Sequence, residues 1–549
     1  MVFGEPEKVI GHLRSLIPWL APALFALCWV VAMPPYDLPE AAYVFLIPLV
    51  LWIFLNPSPR LVARQVWIAS TVAWFFILSW LPAFTDHLAF PLAGLLGWLA
   101  ALALAAVLAL FPAGWAWFAA KSIPPVMERG AGHRILLFFA LAALWVVLEW
   151  LRSWVFTGFP WLPLAASQWQ RPLLLQILSW TGAWGLSFLL VFFNLGLAGY
   201  LRSLRYWRGK RWWQRLSPEF YSAFGLLGAT VFFGLSYSGS FAERQSLLTV
   251  AFVQPYIAAP EKWDPQYANE ALETLEHVTE LGALLEPDLL LWPEATLPFP
   301  LKGNWPLEVW VGALSQRLQK PMLMGAVVVE RRSEGDDWYN GVFFVDPETG
   351  VDTETYYAKR HLVPFGEYVP FGRWLPFLDK VIPLDGSFRS GSEPTLLRYQ
   401  TLERTLRFGP LVCYEDIFPR LARSSVNAGA DILFVATNNA WFGEGSGAWQ
   451  HAAHSVLRAV ETRRPVLRTG NGGWSGWIDD HGHIRHITLD RHGSIYFQGV
   501  DTAEITRNRH WIRQLTFYVR FGDWFVLLSA FLCWPLIRIF VKREDRVSA

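Results

Sequence analysis

The stretch "GPLVCYEDIFP", residues 409–419, passes from a short apolar run directly into Cys413, Tyr414, Glu415 and Asp416. Such a run is of the kind that forms a buried β-strand, so a thiol and two carboxylates fall at a strand end. Only two other cysteines, Cys28 and Cys533, occur in the 549 residues, and both lie in long apolar runs. A lone cysteine is ordinarily a small buried hydrophobe. One without a disulfide partner, flanked by phenolic and acidic groups, equally has the setting of a nucleophile. The stretch by itself leaves both readings open.

Around it, 246–254, 287–294, 320–330, 341–346, 430–438 and 464–471 are further β-type runs, several nearly continuous in apolar residues. Between them, 266–286, 306–319, 418–428 and 448–462 have helical spacing. The alternation predicts an α/β layer fold, with sheets covered by helices. "YNGVFFVDPETGVDTETYY" (339–357) contains an Asp-Pro-Glu-Thr-Gly turn, which predicts an antiparallel part as well.

Beyond this polar block the chain changes character. Hydrophobic residues make up 53% of the sequence, aromatics 16% and charged residues only 17%, which is too apolar for an ordinary soluble protein and predicts a membrane protein. The net charge of +1 gives no reason to expect a nucleic-acid partner. Runs suited to a bilayer core of roughly 30 Å fall near 15–33, 41–56, 64–83, 90–120, 135–156, 173–200, 220–240 and 521–541. They predict eight transmembrane helices, seven in a region 1–240 and one in 516–549 with a cytoplasmic tail, around an external domain at 241–515. The first run lacks the short apolar core and small-residue cleavage site of a removable signal peptide, so it reads as a retained helix.

Lys and Arg set the orientation. With the N-terminus inside, the inner segments carry Lys8 and Arg14, then Arg60 and Arg64, then Lys121, Arg129 and Arg134, then "RSLRYWRGKRWWQR" (202–215), and last Arg538, Lys542, Arg543 and Arg546. The opposite loops "MPPYDLPE" (33–40) and "PAFTDHLAF" (82–90) carry none, and 153–172 carries only Arg171. The domain at 241–515 is therefore expected outside the cytoplasm, where disulfides normally form and where Cys413 has no partner to bridge. Inside the membrane part, Glu149 and Arg152 lie three apart near the external end of one helix and are expected to pair; ionisable groups at such depth are commonly functional.

Two more strand ends in the external domain carry reactive groups: Glu294 after "LLLWP", and Lys359 in "YYAKRHLVPFGEYVP". A carboxylate beside a thiol takes its proton, and a fixed ammonium steadies a thiolate and an oxyanion. Spacing alone does not bring the three together. The segments "WPEA" (292–295), "YAKRHLVPFGEYVP" (357–370) and "GPLVCYED" (409–416), in this order, resemble the catalytic signatures of the nitrilase (carbon–nitrogen hydrolase) superfamily. With "LEWLRSWVFTGFPWLPLAASQ" (148–168), "VQPYIAAPEKWD" (253–264) and "TNNAWFGEGSGAWQHAAHSVLRAVETRRPVLRTGNGG" (437–473), nearly the whole chain resembles the bacterial apolipoprotein N-acyltransferase family.

That resemblance implies a nitrilase-like αββα sandwich inserted between the seventh and eighth helices of an eight-helix bundle in the bacterial inner membrane, facing the periplasm. It implies Glu294 as general base, Lys359 as oxyanion stabiliser and Cys413 as nucleophile. Glu367 corresponds to a glutamate supporting the triad, Tyr414 and Glu415 to neighbours of the cysteine required for activity, and Trp263 to a tryptophan near the substrate entrance. The chemistry implied is transfer of a fatty acyl chain from a phospholipid, through a Cys413 thioester, to the N-terminal amine of a diacylglyceryl-cysteine apolipoprotein. No metal or other cofactor is expected, the partners are membrane lipid and lipoprotein, and the chain is expected to be a monomer. Phe365, Tyr368, Phe371, Trp374, Phe377, Phe388, Trp441 and Phe442 are either core or parts of lid loops at the membrane interface.

The sequence departs from the family's pattern at Asn439, where an aspartate is expected, at Ala448 in place of a proline, and in the Gly- and Trp-rich "NGGWSGW" (471–477). A membrane-tethered amidase of nitrilase type, giving the acyl group to water, is the alternative. A transporter with a non-catalytic external domain is a more distant one.

Overall fold

The computed structural model describes residues 6–85, 92–204, 217–238, 244–258, 264–333, 335–370, 387–512 and 514–544. It divides into two compact units, Met1–Gly239 with Asp523–Ala549, and Ser240–Gly522.

The first unit is helical. Its long helices are Pro6–Ala32, Pro59–Ile77, Ala93–Leu108, Leu110–Met127, Ala131–Arg152, Ala183–Leu204, Pro218–Ser238 and Trp524–Glu544. Among the described residues five stretches are long and apolar enough to cross a membrane: Ser15–Ala32, Ala93–Met127, Ala131–Arg152, Ala183–Leu204 and Pro218–Tyr237. Trp524–Leu536 is a shorter apolar helix.

Apolar composition over-extended some of the expected spans. The run 41–56 holds the end of the 3₁₀ helix Pro39–Tyr43 and the helix Ile47–Ile53, which cannot run on because Asn56 takes a left-handed backbone and Pro57 cannot continue a helix. The run 173–200 opens with two single turns, Pro172–Leu175 and Leu178–Thr181, and its long helix starts only after Gly182, at φ 66°. The run 90–120 is two successive helices that reach Met127.

Polar groups inside this unit are handled individually. Asn194 is fully buried; its amide donates to the carbonyls of Ala42 and Leu190, and its oxygen accepts from the Leu46 N–H, the kind of polar contact that ties helices together in lipid. Glu149 and Arg152 do not pair as expected. Glu149 Oε1 accepts from the Leu164 N–H at 2.8 Å, and the Arg152 guanidinium lies 4.8 Å from the centre of the Trp74 ring, a cation–π contact. A loop carrying unsatisfied N–H groups and an aromatic face compete with the i,i+3 pair for both charges.

The second unit is built on two sheets. The first runs β13 (Gly499–Asn508), β1 (Arg244–Gln254), β2 (Leu289–Trp292), β3 (Met322–Glu330), β4 (Asp337–Asp346), β5 (Gly350–Val351), with β6 (Tyr357–Ala358) also on β4. The second runs β12 (Ile484–Ile487), β11 (Gly476–Ile478), β10 (Val466–Asn471), β9 (Ile432–Asn438), β8 (Thr405–Val412), β7 (Leu397–Gln400). Each has a parallel centre, β1-β2-β3 and β8-β9-β10, with antiparallel strands at its flanks.

Strand alternation makes the layers. Val250, Phe252, Leu289 and Leu291 face Phe408, Val412, Ile432 and Phe434 of the other sheet. Their neighbours Ala251, Val253, Leu290 and Trp292 point the opposite way, onto Leu275 and Val278 of helix Ala268–Ala283 and Val311 and Leu314 of helix Trp305–Leu318. Helices Pro419–Asn427 and Ser446–Thr462 pack on the second sheet. The order is helix, sheet, sheet, helix. β8 ends at Val412, and Cys413, at the strand end as expected, opens a tight turn there.

Candidate active site

Glu294 and Cys413 stand just beyond the ends of β2 and β8, in the parallel centres of the two sheets, and Lys359 just beyond the short β6 paired to β4. Glu294 follows β2 by two residues, in a turn closed by Thr296, whose hydroxyl donates to the Pro293 carbonyl at 2.6 Å and whose N–H donates to the Gly325 carbonyl. Gly325 in β3 permits this approach: a Cβ there would lie 2.5 Å from the Pro293 oxygen and 2.7 Å from Glu294 Cα. Lys359 follows β6 and is fixed at both backbone groups, its N–H donating to the Asn340 carbonyl and its carbonyl accepting from the Gly391 N–H, each at 2.8 Å. Cys413 directly follows β8 with φ at 49°. A left-handed backbone is uncommon outside glycine and marks a strained position that surrounding contacts must hold.

These residues, with Asn340 and Glu367, form one buried polar cluster, none more than 9% exposed as a residue. Lys359 Nζ donates to Glu367 Oε1 at 2.8 Å and to Glu294 Oε1 at 3.4 Å. Asn340 Nδ2 donates to the same two oxygens, at 2.8 Å to Glu294 and 3.1 Å to Glu367. Glu294 Oε2 accepts from the Asn438 N–H, and Glu367 Oε2 from the Val363 N–H. One ammonium is thus shared by two carboxylates whose other oxygens are held by backbone.

The charges set the protonation states. Burial is the largest influence on Lys359 and pulls its pKa down, but Glu367 and Glu294 outweigh it and the ammonium stays charged. The Cys413 thiol is pushed up to about 12, first by burial and then by Glu294, with Lys359 pulling the other way. Cys413 therefore rests as a thiol, and to act as a nucleophile it would need a base to take its proton.

The other expected residues divide. Glu367 joins the cluster. Glu415 is fully buried, and its carboxylate ties the surrounding chain: it accepts from the Val412, Arg360 and His361 N–H groups and from the Tyr357 hydroxyl at 2.7 Å. Tyr414 packs against His361 and Phe418. Trp263 lies outside the described residues, as do Phe371, Trp374 and Phe377. Phe442 is buried, whereas Phe365 is 54% exposed at φ 63°. Sequence reasoning missed Asn340, the Asn438 N–H and His451; an Asn in the middle of a strand pattern, where it is disfavoured, was the available sign for the first.

Among the described residues only Asp479, Asp480 and His481 approach metal-ligand spacing. Their carboxylates are occupied by protein donors, Asp479 by the His481 and His483 N–H groups and Arg485, Asp480 by His481 and the Asn508 N–H. They build a loop.

Comparison with known proteins gives two family matches. Residues 25–196 match the apolipoprotein N-acyltransferase N-terminal domain, and residues 249–517 match the carbon–nitrogen hydrolase family. Among curated relatives, the apolipoprotein N-acyltransferase of Geobacter metallireducens is 30% identical over 476 residues, covering 85% of each chain. That of Brucella melitensis is 31% identical over 520 residues, covering 88% of this chain and 89% of its own. That of Rhizobium rhizogenes is 30% identical over 546 residues, covering 94% and 96%.

Proposed function

The chain belongs to the apolipoprotein N-acyltransferase family, and we propose that it transfers a fatty acyl chain from a phospholipid to the N-terminal amine of a diacylglyceryl-cysteine apolipoprotein. The observation that carries the reading is the cluster in which Lys359 bridges Glu294 and Glu367 while Glu294 and Lys359 act electrostatically on the Cys413 thiol.

In the first half, Cys413 Sγ attacks the ester carbonyl of the phospholipid as Glu294 takes the thiol proton. The sulfur–carbon bond forms, Lys359 neutralises the developing oxyanion, the ester carbon–oxygen bond breaks, and Glu294 returns the proton to the leaving alkoxide, releasing a lysophospholipid. In the second half, the lipoprotein amine attacks the thioester, the nitrogen–carbon bond forms, the carbon–sulfur bond breaks, and the proton lost by the amine passes through Glu294 to the leaving sulfur. Glu367 and Asn340 keep Lys359 and Glu294 in place. Tyr414 and Glu415 shape the nucleophile turn, and Trp263 belongs to the substrate entrance. The chain acts as a monomer in the bacterial inner membrane, with eight spans, seven before and one after a periplasmic catalytic domain. Release of the acyl group to water is not favoured, since the full-length relatives are named as acyltransferases.

The full-length chain incubated with acyl-labelled phospholipid and no acceptor should gain one acyl group on the Cys413 peptide. Hydroxylamine should remove it, and a diacylated lipopeptide should discharge it onto its α-amine. Product formation without an adduct on Cys413, or release of free fatty acid alone, would overturn the mechanism.

A further inference from the structure

The strained backbone at Cys413 needs an external hold. One helix supplies it. From Ser446–Thr462, His451, Ser455 and Arg458 recur at i, i+4 and i+7, one helical face, and all three reach the turn 413–417. His451 Nε2 lies 3.0 Å from the Cys413 carbonyl oxygen and 2.8 Å from Asp416 Oδ1. Ser455 Oγ donates to Asp416 Oδ2 at 2.6 Å, and Arg458 donates to the carbonyls of Asp416 and Ile417. Arg468, from β10, donates to Asp416 Oδ2 at 2.7 Å.

The partners of the imidazole define its hydrogens. Both groups at Nε2 are acceptors, so Nε2 carries a hydrogen. Nδ1 faces Asn439 Nδ2 at 3.3 Å; an amide nitrogen only donates, so Nδ1 offers its lone pair. Turning the Asn439 amide over would demand an imidazolium. Burial, and after it the Arg468 guanidinium, oppose that charge, against the pull of Asp416. His454, on the same helix, is held well below the ordinary imidazole range by burial and so stays neutral, and the Phe442 ring packs beside His451. The Gly473 backbone lies close against Asn439: a Cβ on Gly473 would stand 2.5 Å from the Asn439 Cβ.

We propose that His451 is a positioning residue for the nucleophile, held by Asn439 as the neutral Nε2–H tautomer whose hydrogen ties down the Cys413 carbonyl. The proposal rests on the reading of Cys413 as the reacting group. It also gives Asn439 a role: an aspartate in its place would accept a hydrogen from Nδ1 and hold His451 as a cation beside the nucleophile.

The test uses the full-length chain in detergent, with two readouts on the Cys413 peptide by mass spectrometry: thioester formation from phospholipid, and alkylation by iodoacetamide across pH. His451→Leu should slow thioester formation about 100-fold, the scale of a small misplacement of a reacting group, with little change in phospholipid KM. His451→Gln, which keeps a donor, should recover most of the loss. Asn439→Asp should add an ionisation between about pH 5 and 8 to the alkylation profile and shift thiol reactivity to lower pH, while the unaltered chain shows no such step. Nitrogen NMR of the histidine-labelled unaltered chain should report protonated Nε2 and bare Nδ1, whatever the folding of the variants. A protonated Nδ1 at neutral pH, or a folded His451→Leu chain with normal thioester kinetics, would overturn the proposal. Alkylation that responds as expected while no acyl adduct ever forms would instead place the failure in the acyl-transfer reading.

Discussion

Cys413 combines two features that oppose each other. Its position at a turn beside a carboxylate suits a nucleophile, yet burial and Glu294 push its thiol up to about 12, above the ordinary value near 8.5. Since the raised pKa favours the protonated form, Cys413 should carry its proton throughout the neutral range and lose it only in strong alkali. Alkylation by iodoacetamide should therefore keep rising through pH 10 in the folded chain, where the unfolded chain levels off just above 8.5. Glu294→Gln separates base from electrostatics. Removing the carboxylate takes away the second-largest upward push, so the alkylation midpoint should move down while acyl transfer from phospholipid falls steeply, because nothing accepts the proton during attack. Lys359→Ala should move the midpoint the other way and cost roughly 10²–10³ in rate, by analogy with other oxyanion donors. A Glu294→Gln chain with both alkylation profile and turnover unchanged would remove Glu294 from the site.

At the scale of elements, the strands were legible because their environment is uniform. β2, β3 and the ends of β1 and β8 are buried on both faces, so they read as continuous apolar runs, and the helices between them showed their periodicity. What stayed hidden depends on pairs distant in sequence. Nothing near Asn340 announces that its amide bridges Glu294 and Glu367, and the hold of helix Ser446–Thr462 on the nucleophile turn exists only once β8, β9 and β10 are aligned. Glu294, Lys359 and Cys413 themselves were visible as isolated polar groups at strand ends, and a family resemblance, not spacing, joined them. Gly325 is a case the sequence did not distinguish from any glycine in a strand. Gly325→Ala would drive a methyl against backbone atoms of Pro293 and Glu294, so it should destabilise the unit by about 1–3 kcal/mol, as overpacking does, and displace Glu294. Thermal unfolding and thioester formation should both fall; loss of neither would show that the Pro293–Glu294 turn yields without cost.

At the scale of the whole molecule, composition located the apolar regions but not where each helix begins or ends, because a bilayer-length run of apolar residues says nothing of the backbone breaks at Asn56–Pro57 or Gly182. Lys and Arg carry a different kind of information. Their crowding in 202–215, next to the helix Ala183–Leu204, and their scarcity in 33–40, 82–90 and 153–172, concern which side of the membrane each connection occupies. Positive charge near a span is held on the cytoplasmic side, so the segment containing Arg208 should be inside and the unit that carries Cys413, one span later, outside. This placement also suits the proposed chemistry: an exported lipoprotein would meet the site on that side, and a lone thiol with no disulfide partner would then face an oxidising compartment, where burial and a high pKa protect it from adventitious oxidation. A reporter active only outside the cytoplasm should work when fused after Gly303 and stay silent after Arg208. The opposite pattern would invert the orientation and, with it, require the lipoprotein amine to meet Cys413 on the cytoplasmic side.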